Sequence, residues 1–343
     1  MQALGTTAGR RLAVERRLPP AAGGVALSVA LALVATAAGR RVPVVGPAVI
    51  AIVLGVAVRA LFDPGAWAAP GVAFSSRKLL QAAIVLLGTG LSLGTVLHVG
   101  ARSLPVMLVT LAVALGGGAA IGRLLGVEAP LRTLLSVGTG ICGASAIAAV
   151  SAVIEVEAVE VAYAISTIFV FNVAAVLLFP PLGHALGLAA HPFGLWAGTA
   201  VNDTPSVVAA GYAYSHAAGD YALVVKLTRT LLIVPIVLTL AALERRRDSA
   251  AAAVNGARVV PLFLVGFLLA AAVNSTGVLG GHLRHELSTA ALFLVAVALA
   301  AVGLSAQPAR IRAAGARPLL LGGVLWALVA STSLAVQALT GLL

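Results

Sequence analysis

The sequence predicts an all-α integral membrane protein of about eleven transmembrane helices, an inverted-repeat secondary transporter with discontinuous helices. Three observations predict it. Of 343 residues, 61% are hydrophobic and 10% charged, where a soluble domain carries roughly a quarter charged residues; mean hydropathy is +1.09. Apolar stretches of roughly 20 residues, enough to cross a bilayer, recur about eleven times. Two of these stretches are interrupted by glycines or by a Thr-Pro pair, which stop and restart helices.

The first span begins near Ala21, after residues 1–20, an N-terminal segment holding Arg10, Arg11, Arg16 and Arg17 that is expected in the cytoplasm. Its basic start, apolar run and "ATAA" also fit a cleavable signal peptide. Later spans begin near Val42, Leu79, Ser103, Leu131, Val159, Phe193, Tyr221, Val259, Leu287 and Pro318. The longest connections run from Phe62 to Lys78 and from Glu244 to Arg258, so residues 21–343 form a single polytopic domain.

Lys and Arg number 22 against 11 Asp and Glu, a net charge of +11. In a soluble chain that balance would suggest nucleic acid, but here the arginines fall in short connections. With the N-terminus inside, Arg77, Lys78, Arg123, Arg132, Arg245, Arg246, Arg247, Arg258, Arg310, Arg312 and Arg317 lie in the cytoplasm. Arg40, Arg41, Arg102 and Arg284 fall outside, with Glu155, Glu157 and Glu160. The asymmetry predicts a multi-pass protein of the inner (cytoplasmic) membrane, N-terminus cytoplasmic and C-terminus outside.

The fifth span carries "GTGICGASAIAA" and the seventh "GTAVNDTPSVVAAG". Thr204 suits an N-cap and Pro205 a first helical position, so the seventh span stops near Asn202 and restarts at Pro205. By the same logic the fifth stops within Gly138, Thr139, Gly140, Cys142 and Gly143 and restarts near Ala144. Close packing of small residues is the bland alternative for the glycines. A resumed half-helix carries roughly +0.5 charge at its N-terminus, an anion site before any side chain is counted. Ser145, Asn202, Thr204 and Ser206 would line it. Cys142 reads as a packing residue, and the "GAS" around Ser145 lacks the intramembrane histidine that a serine protease needs.

Asp203, Lys226 and Arg229 are the ionisable groups expected within spans, where charge is costly and marks a pathway. Lys226, Arg229 and Thr230 share a helix face suited to an oxyanion; snorkelling to the headgroups is the alternative for Lys226. Asp203 reads as a helix cap or as the group that couples transport to Na⁺ or H⁺. No cofactor, metal site or enzyme activity is expected.

A weak internal echo, "VLLGTGLS" ending at Ser92 against "ALAAVGLS" ending at Ser305, runs in opposite directions and fits inverted repeats. "GTGICGASAIAA", "VAYAIST", "NDTPSVVAAGYAYS" and "VKLTRTLLIVP", with "VPVVGPAVIAIVLG" and "RPLLLGGVLWALVA", resemble the sulfate exporter family of inner-membrane proteins. The resemblance spans nearly the whole chain. It implies a fold similar to the bile-acid symporter and sodium/proton antiporter group, with inverted repeats and crossing discontinuous helices. Where many members carry a histidine before the acid, this chain has Asn202.

The expected function is export of a small oxyanion, sulfate first, by alternating access. Inside-negative potential favours outward movement of two negative charges by about 4.6 kcal/mol per 100 mV. The alternatives are a sodium- or proton-coupled transporter of a small organic anion (carboxylate or sulfonate) and an anion channel. Expected partners are the small anion and the lipid bilayer, without nucleic acid; a homodimer stands open.

Overall fold

The computed structural model describes residues 21–39, 41, 46–62, 64–247, 261–306 and 315–343. The expectation for residues 1–20 lies outside them, as do Arg40, Arg258, Arg310 and Arg312. The described residues form helices α1 (Ala22–Gly39), α2 (Gly46–Leu61), α3 (Gly65–Phe74), α4 (Leu80–Gly88), α5 (Leu93–Leu124), α6 (Ala129–Gly140), α7 (Ala144–Ser151) and α8 (Ala158–Ala185). They continue as α9 (Ala190–Ala200), α10 (Thr204–Tyr214), α11 (His216–Leu231), α12 (Ile233–Arg247), α13 (Leu262–Ser275), α14 (Gly281–Leu304) and α15 (Ala316–Leu339). The all-α class and the two helix breaks are as the sequence predicts.

Four span starts differ by five residues or more, the tenth lying at Gly281 rather than near Leu287. The third span starts at Gly65, because a π turn at Ser75–Leu79 joins α3 to α4 in one helix, Gly65–Gly88. No Gly or Pro stands between Ala73 and Leu79 to stop it, so Arg77 and Lys78, expected in a cytoplasmic connection, lie within this span on its exposed side. The fourth starts at Leu93, where Ser92 accepts from Thr95 N and Leu93 N donates to Ser275 Oγ at 2.7 Å. The eighth starts at His216, capped by Ser215, whose Oγ accepts from Ala218 N at 3.1 Å.

The larger correction concerns direction. Neither broken span crosses; each turns back at its break. In the first, a Cβ on Gly138 would lie 3.0 Å from Ile147 Cδ1, so α6 and α7 lie side by side. Glu128, before α6, and Glu157, after α7, accordingly line one cavity with Arg317. In the second, Phe193 of α9 stacks on Tyr214 of α10 with ring centroids 3.8 Å apart, and the Tyr214 hydroxyl donates to Leu188 O. The two hairpins open at opposite ends of α15: Arg317 and Pro318 line the mouth of one, Gly341–Leu343 the mouth of the other. We call the end where α1 begins the near end; hairpin α6–α7 opens there and hairpin α9–α10 at the far end.

Among the described residues, seven helices are long and apolar enough to cross a membrane, and α2 and α13 are shorter apolar helices beside them. With the two hairpins these account for all eleven apolar stretches. Glu155, Glu157 and Glu160 therefore sit at the same end as Arg132 and Arg317, not opposite them. The positive-inside rule had nothing to count here: no Lys or Arg stands between Arg132 and Lys226.

Small residues set the closest helix crossings, as lipid-embedded packing requires. Gly55 of α2 meets Gly303 of α14, and a Cβ on either would fall 2.3 Å from Ala300 O or 2.4 Å from Ile52 O. The core formed by α2, α4 and α14 meets the second hairpin through α10 and reaches α5 through α13.

Candidate functional site

At the first tip the helix ends because Ile141 takes φ −124°, ψ −87° and Gly143 takes φ +64°, a conformation that L side chains rarely adopt. The Gly143 N–H returns to Gly138 O at 2.9 Å, closing the C-terminus of α6. α7 then starts without a side-chain cap, and Ala144 and Ser145 in its first turn are exposed. At the second tip Val201 and Asp203 are extended. Asn202 N donates to Asn172 Oδ1 at 3.0 Å, and Ser206 N donates to Asp203 Oδ1 at 2.9 Å. Asp203, not Thr204, is thus the cap, one residue earlier than expected, with Pro205 in the first turn. A carboxylate outcompetes a hydroxyl because its hydrogen bond is charge-assisted.

The tips touch: a Cβ on Gly143 would lie 3.3 Å from Asp203 Cβ. Lys226 and Arg229 of α11 tie them together. Lys226 Nζ donates to Ile141 O at 2.7 Å and to Val201 O at 2.9 Å. Arg229 donates through Nη1 to Thr199 O and through Nη2 to Thr139 O, the latter at 3.0 Å. Each cation bonds one carbonyl of each hairpin. Both side chains are 0% exposed, so Lys226 does not snorkel.

The reason lies in the helix ends. α6 and α9 point their C-termini at this place, each with roughly −0.5 charge, and those orphan carbonyls need donors that a bilayer lacks. These two C-termini and Asp203 offset the two cations. The N-termini of α7 and α10 then add roughly +0.5 each, leaving about one net positive charge for an anion to meet.

Several buried polar atoms beside the tips have no hydrogen-bond partner among the described residues: Thr139 Oγ1, Thr167 Oγ1, both amide atoms of Asn202, Ser206 Oγ and Arg229 Nε. Unpaired buried groups are rare in native structures and call for a ligand, ion or water.

The structure brings together Thr139, Gly143, Asn202, Asp203, Lys226 and Arg229. Other expected site residues lie elsewhere or act locally. Gly138 packs on Ile147 and Ile168, and Gly140 on Leu111 and Ala114. Thr230 Oγ1 donates to Lys226 O at 2.9 Å within its own helix, whereas Cys142 is buried at the first tip itself, between Ile141 and Gly143. Asn172, Ser333 and Gln337 were missed. Thr199 Oγ1 and Ser333 Oγ share a 2.6 Å hydrogen bond, and Gln337 Nε2 donates to Ser333 Oγ at 3.2 Å. Their signal was a lone polar residue in an apolar run, as in "VFNVAAV" and "LAVQALT", easily passed over when ionisable groups alone are counted.

Each hairpin mouth holds a cavity. The near-end cavity, about 770 Å³, is lined by Glu128, Glu155, Glu157, Glu160, Tyr163 and Arg317. The far-end cavity, about 660 Å³, carries Thr95, His98, Arg102, His191, Asp220 and Tyr221. The near mouth is acidic, whereas at the far mouth the charge of Arg102 is matched by that of Asp220 and two histidines stand beside them.

Residues 23–322 match the family model described as Conserved hypothetical protein 698. A UPF0324 membrane protein of Clostridium tetani is 38% identical over 338 residues, covering 93% of this chain and 97% of the relative. One from Streptococcus pyogenes serotype M6 is 39% identical, covering 95% and 98%. Another from Fusobacterium nucleatum is 36% identical, covering 93% and 98%. No solved structure matches. Two hairpins tied together by the buried Lys226 and Arg229, on an all-helical apolar scaffold, thus belong to a membrane protein, and the chain is a member of the Conserved hypothetical protein 698 family.

Proposed function

We propose that the protein is a secondary transporter that moves a small oxyanion, sulfate as the first candidate, by alternating access, with the near end cytoplasmic and the direction outward. The observation that carries this reading is the meeting of two oppositely opening hairpins over Lys226 and Arg229. Opposed broken helices meeting in mid-membrane suit a site that is reached from one end and then from the other. The cations hold the carbonyl ends of the tips and Asp203 already caps α10, which leaves the uncapped N-terminus of α7, with Arg229 Nε and the Asn202 amide, as the anion-holding parts. Sulfate as substrate rests on the family resemblance of the motifs, and the near-end orientation on the excess of arginine there.

A second reading has one observation in its favour. Four glutamates at the near-end mouth would concentrate a cation. That fits a sodium- or proton-coupled transporter of a carboxylate or sulfonate, with Asp203 as the coupling group.

Uptake of labelled sulfate, thiosulfate and small sulfonates into proteoliposomes, under imposed sodium, proton and voltage gradients, decides between them. Saturable sulfate flux driven by voltage alone supports the first reading, and gradient-dependent sulfonate flux the second. Flux that never saturates would indicate a channel, and absence of flux for every anion would overturn the transport reading.

A further inference from the structure

The far-end cavity lies away from the hairpin tips, and its chemistry is independent of theirs. Arg102 projects into it from α5, His98 stands one turn earlier, and His191 comes from the start of α9, its ring stacked on Tyr221 with centroids 5.0 Å apart. Among the described residues Asp220 is the carboxylate side chain at this cavity, and the Tyr212 hydroxyl engages it at 2.5 Å. Arg102 has no carboxylate partner among the described residues. Three helices also begin around the cavity: α5 just after Leu91, α9 just after Ala189 and α11 just before Ala217. α9 has no side-chain cap among the described residues, and its positive end faces the side on which Ala189 and His191 line the cavity.

A buried polar seam runs from this cavity toward the tips. Leu342, which lines the cavity, donates its N–H to Gln337 O at 2.9 Å. The Gln337 side chain meets Ser333, Ser333 meets Thr199, and Thr199 O accepts from Arg229. Thr199, Ser333 and Gln337 are all 0% exposed, and Gln337 Oε1 has no partner among the described residues. These side chains join α9 to α15 by hydrogen bonds across an apolar interface, a continuous polar line in an otherwise apolar scaffold.

We propose that the far-end cavity is a second oxyanion site, with Arg102 as its charged anchor and His98 and His191 as further donors, and that the Thr199–Ser333–Gln337 seam links it to the hairpin tips. The proposal rests on the anion-transport reading and deepens it: the anion is held twice, once at the tips and once at the mouth through which it leaves. An Arg guanidinium supplies several fixed donors matched to an oxyanion, which lysine does only as a point charge.

The test is equilibrium binding of radiolabelled sulfate to the purified full-length protein in detergent. The wild type should bind two sulfates per chain. Arg102→Gln should lose one, or weaken it by about tenfold or more, with the other unchanged. Arg102→Lys should keep both, the outer one weaker. Arg102 is exposed, so neither change threatens the fold. Two sulfates bound equally by wild type and Arg102→Gln, or a single sulfate that Arg102→Gln leaves untouched, would overturn the second site and leave the transport reading standing. A single sulfate abolished by Arg102→Gln would support the cavity and displace the tips as an anion site. No sulfate bound by the wild type would overturn the second site and sulfate as the substrate together, and transport of other anions would still be read from the liposome flux.

Discussion

Replacing Lys226 by Met would leave Ile141 O and Val201 O without their donor in a fully buried setting. Each orphaned carbonyl costs about 1–3 kcal/mol, offset in part because a buried ammonium is removed with its desolvation cost. A net loss of about 2 kcal/mol is expected, read as a lower unfolding temperature in detergent. Asp203→Asn should change stability little, since an amide oxygen still accepts from Ser206 N, whereas Asp203→Ala should cost about 1 kcal/mol as a lost cap. If Asp203 also couples transport, the Asn variant should bind sulfate normally yet lose the dependence of flux on pH or sodium; unchanged dependence would reduce the residue to a cap. That charged residues lie inside the membrane was readable from "VVKLTRT". What they bond to was not, because the acceptors are backbone carbonyls, and every residue type supplies those.

At the scale of the elements, cysteines replacing Glu128 and Glu157, in a chain whose Cys142 is changed to Ala, should be labelled by an impermeant reagent from the same side. Eleven successive crossings would put them on opposite sides, so opposite labelling would remove the hairpin. The breaks were legible because glycine and Thr-Pro carry local backbone preferences. The direction of the chain after a break was not. It is set by a few dihedral angles, those of Ile141 and Gly143 above all, and by packing onto Ile168 that only the folded chain reveals. Helix crossings give a further check. Gly55→Ala must push α2 from α14, because the new methyl meets the carbonyl oxygen of Ala300, a backbone atom that cannot step aside. A cost of about 1–3 kcal/mol is expected, against near neutrality for Gly116→Ala, whose Cβ would meet open space. Thermal unfolding of the two variants in one detergent compares them directly.

At the scale of the whole molecule, the four glutamates of the near mouth repel anions, whereas the far mouth, where the charge of Arg102 is matched by that of Asp220, carries no such excess. Lowering ionic strength from about 0.15 M to 0.01 M stretches the screening length from about 8 to 30 Å. Initial sulfate flux supplied at the near end should therefore fall, and flux supplied at the far end should change less. Inside-out and right-side-out liposomes separate the two, and equal responses would mean that the mouths do not act on the anion. The tie between the hairpins and α11 also bears on how the chain is made. Thr139 leaves the ribosome well before Arg229, and at about 5–20 residues per second the first tip waits for several seconds before its cations are synthesised. During that interval the bare carbonyls of α6 have no lasting donor, and the second hairpin is in the same position for a shorter time. α11 is thus the keystone of assembly: neither hairpin can be sealed until it arrives, and a chain cut before Lys226 would leave both open to quality-control proteolysis.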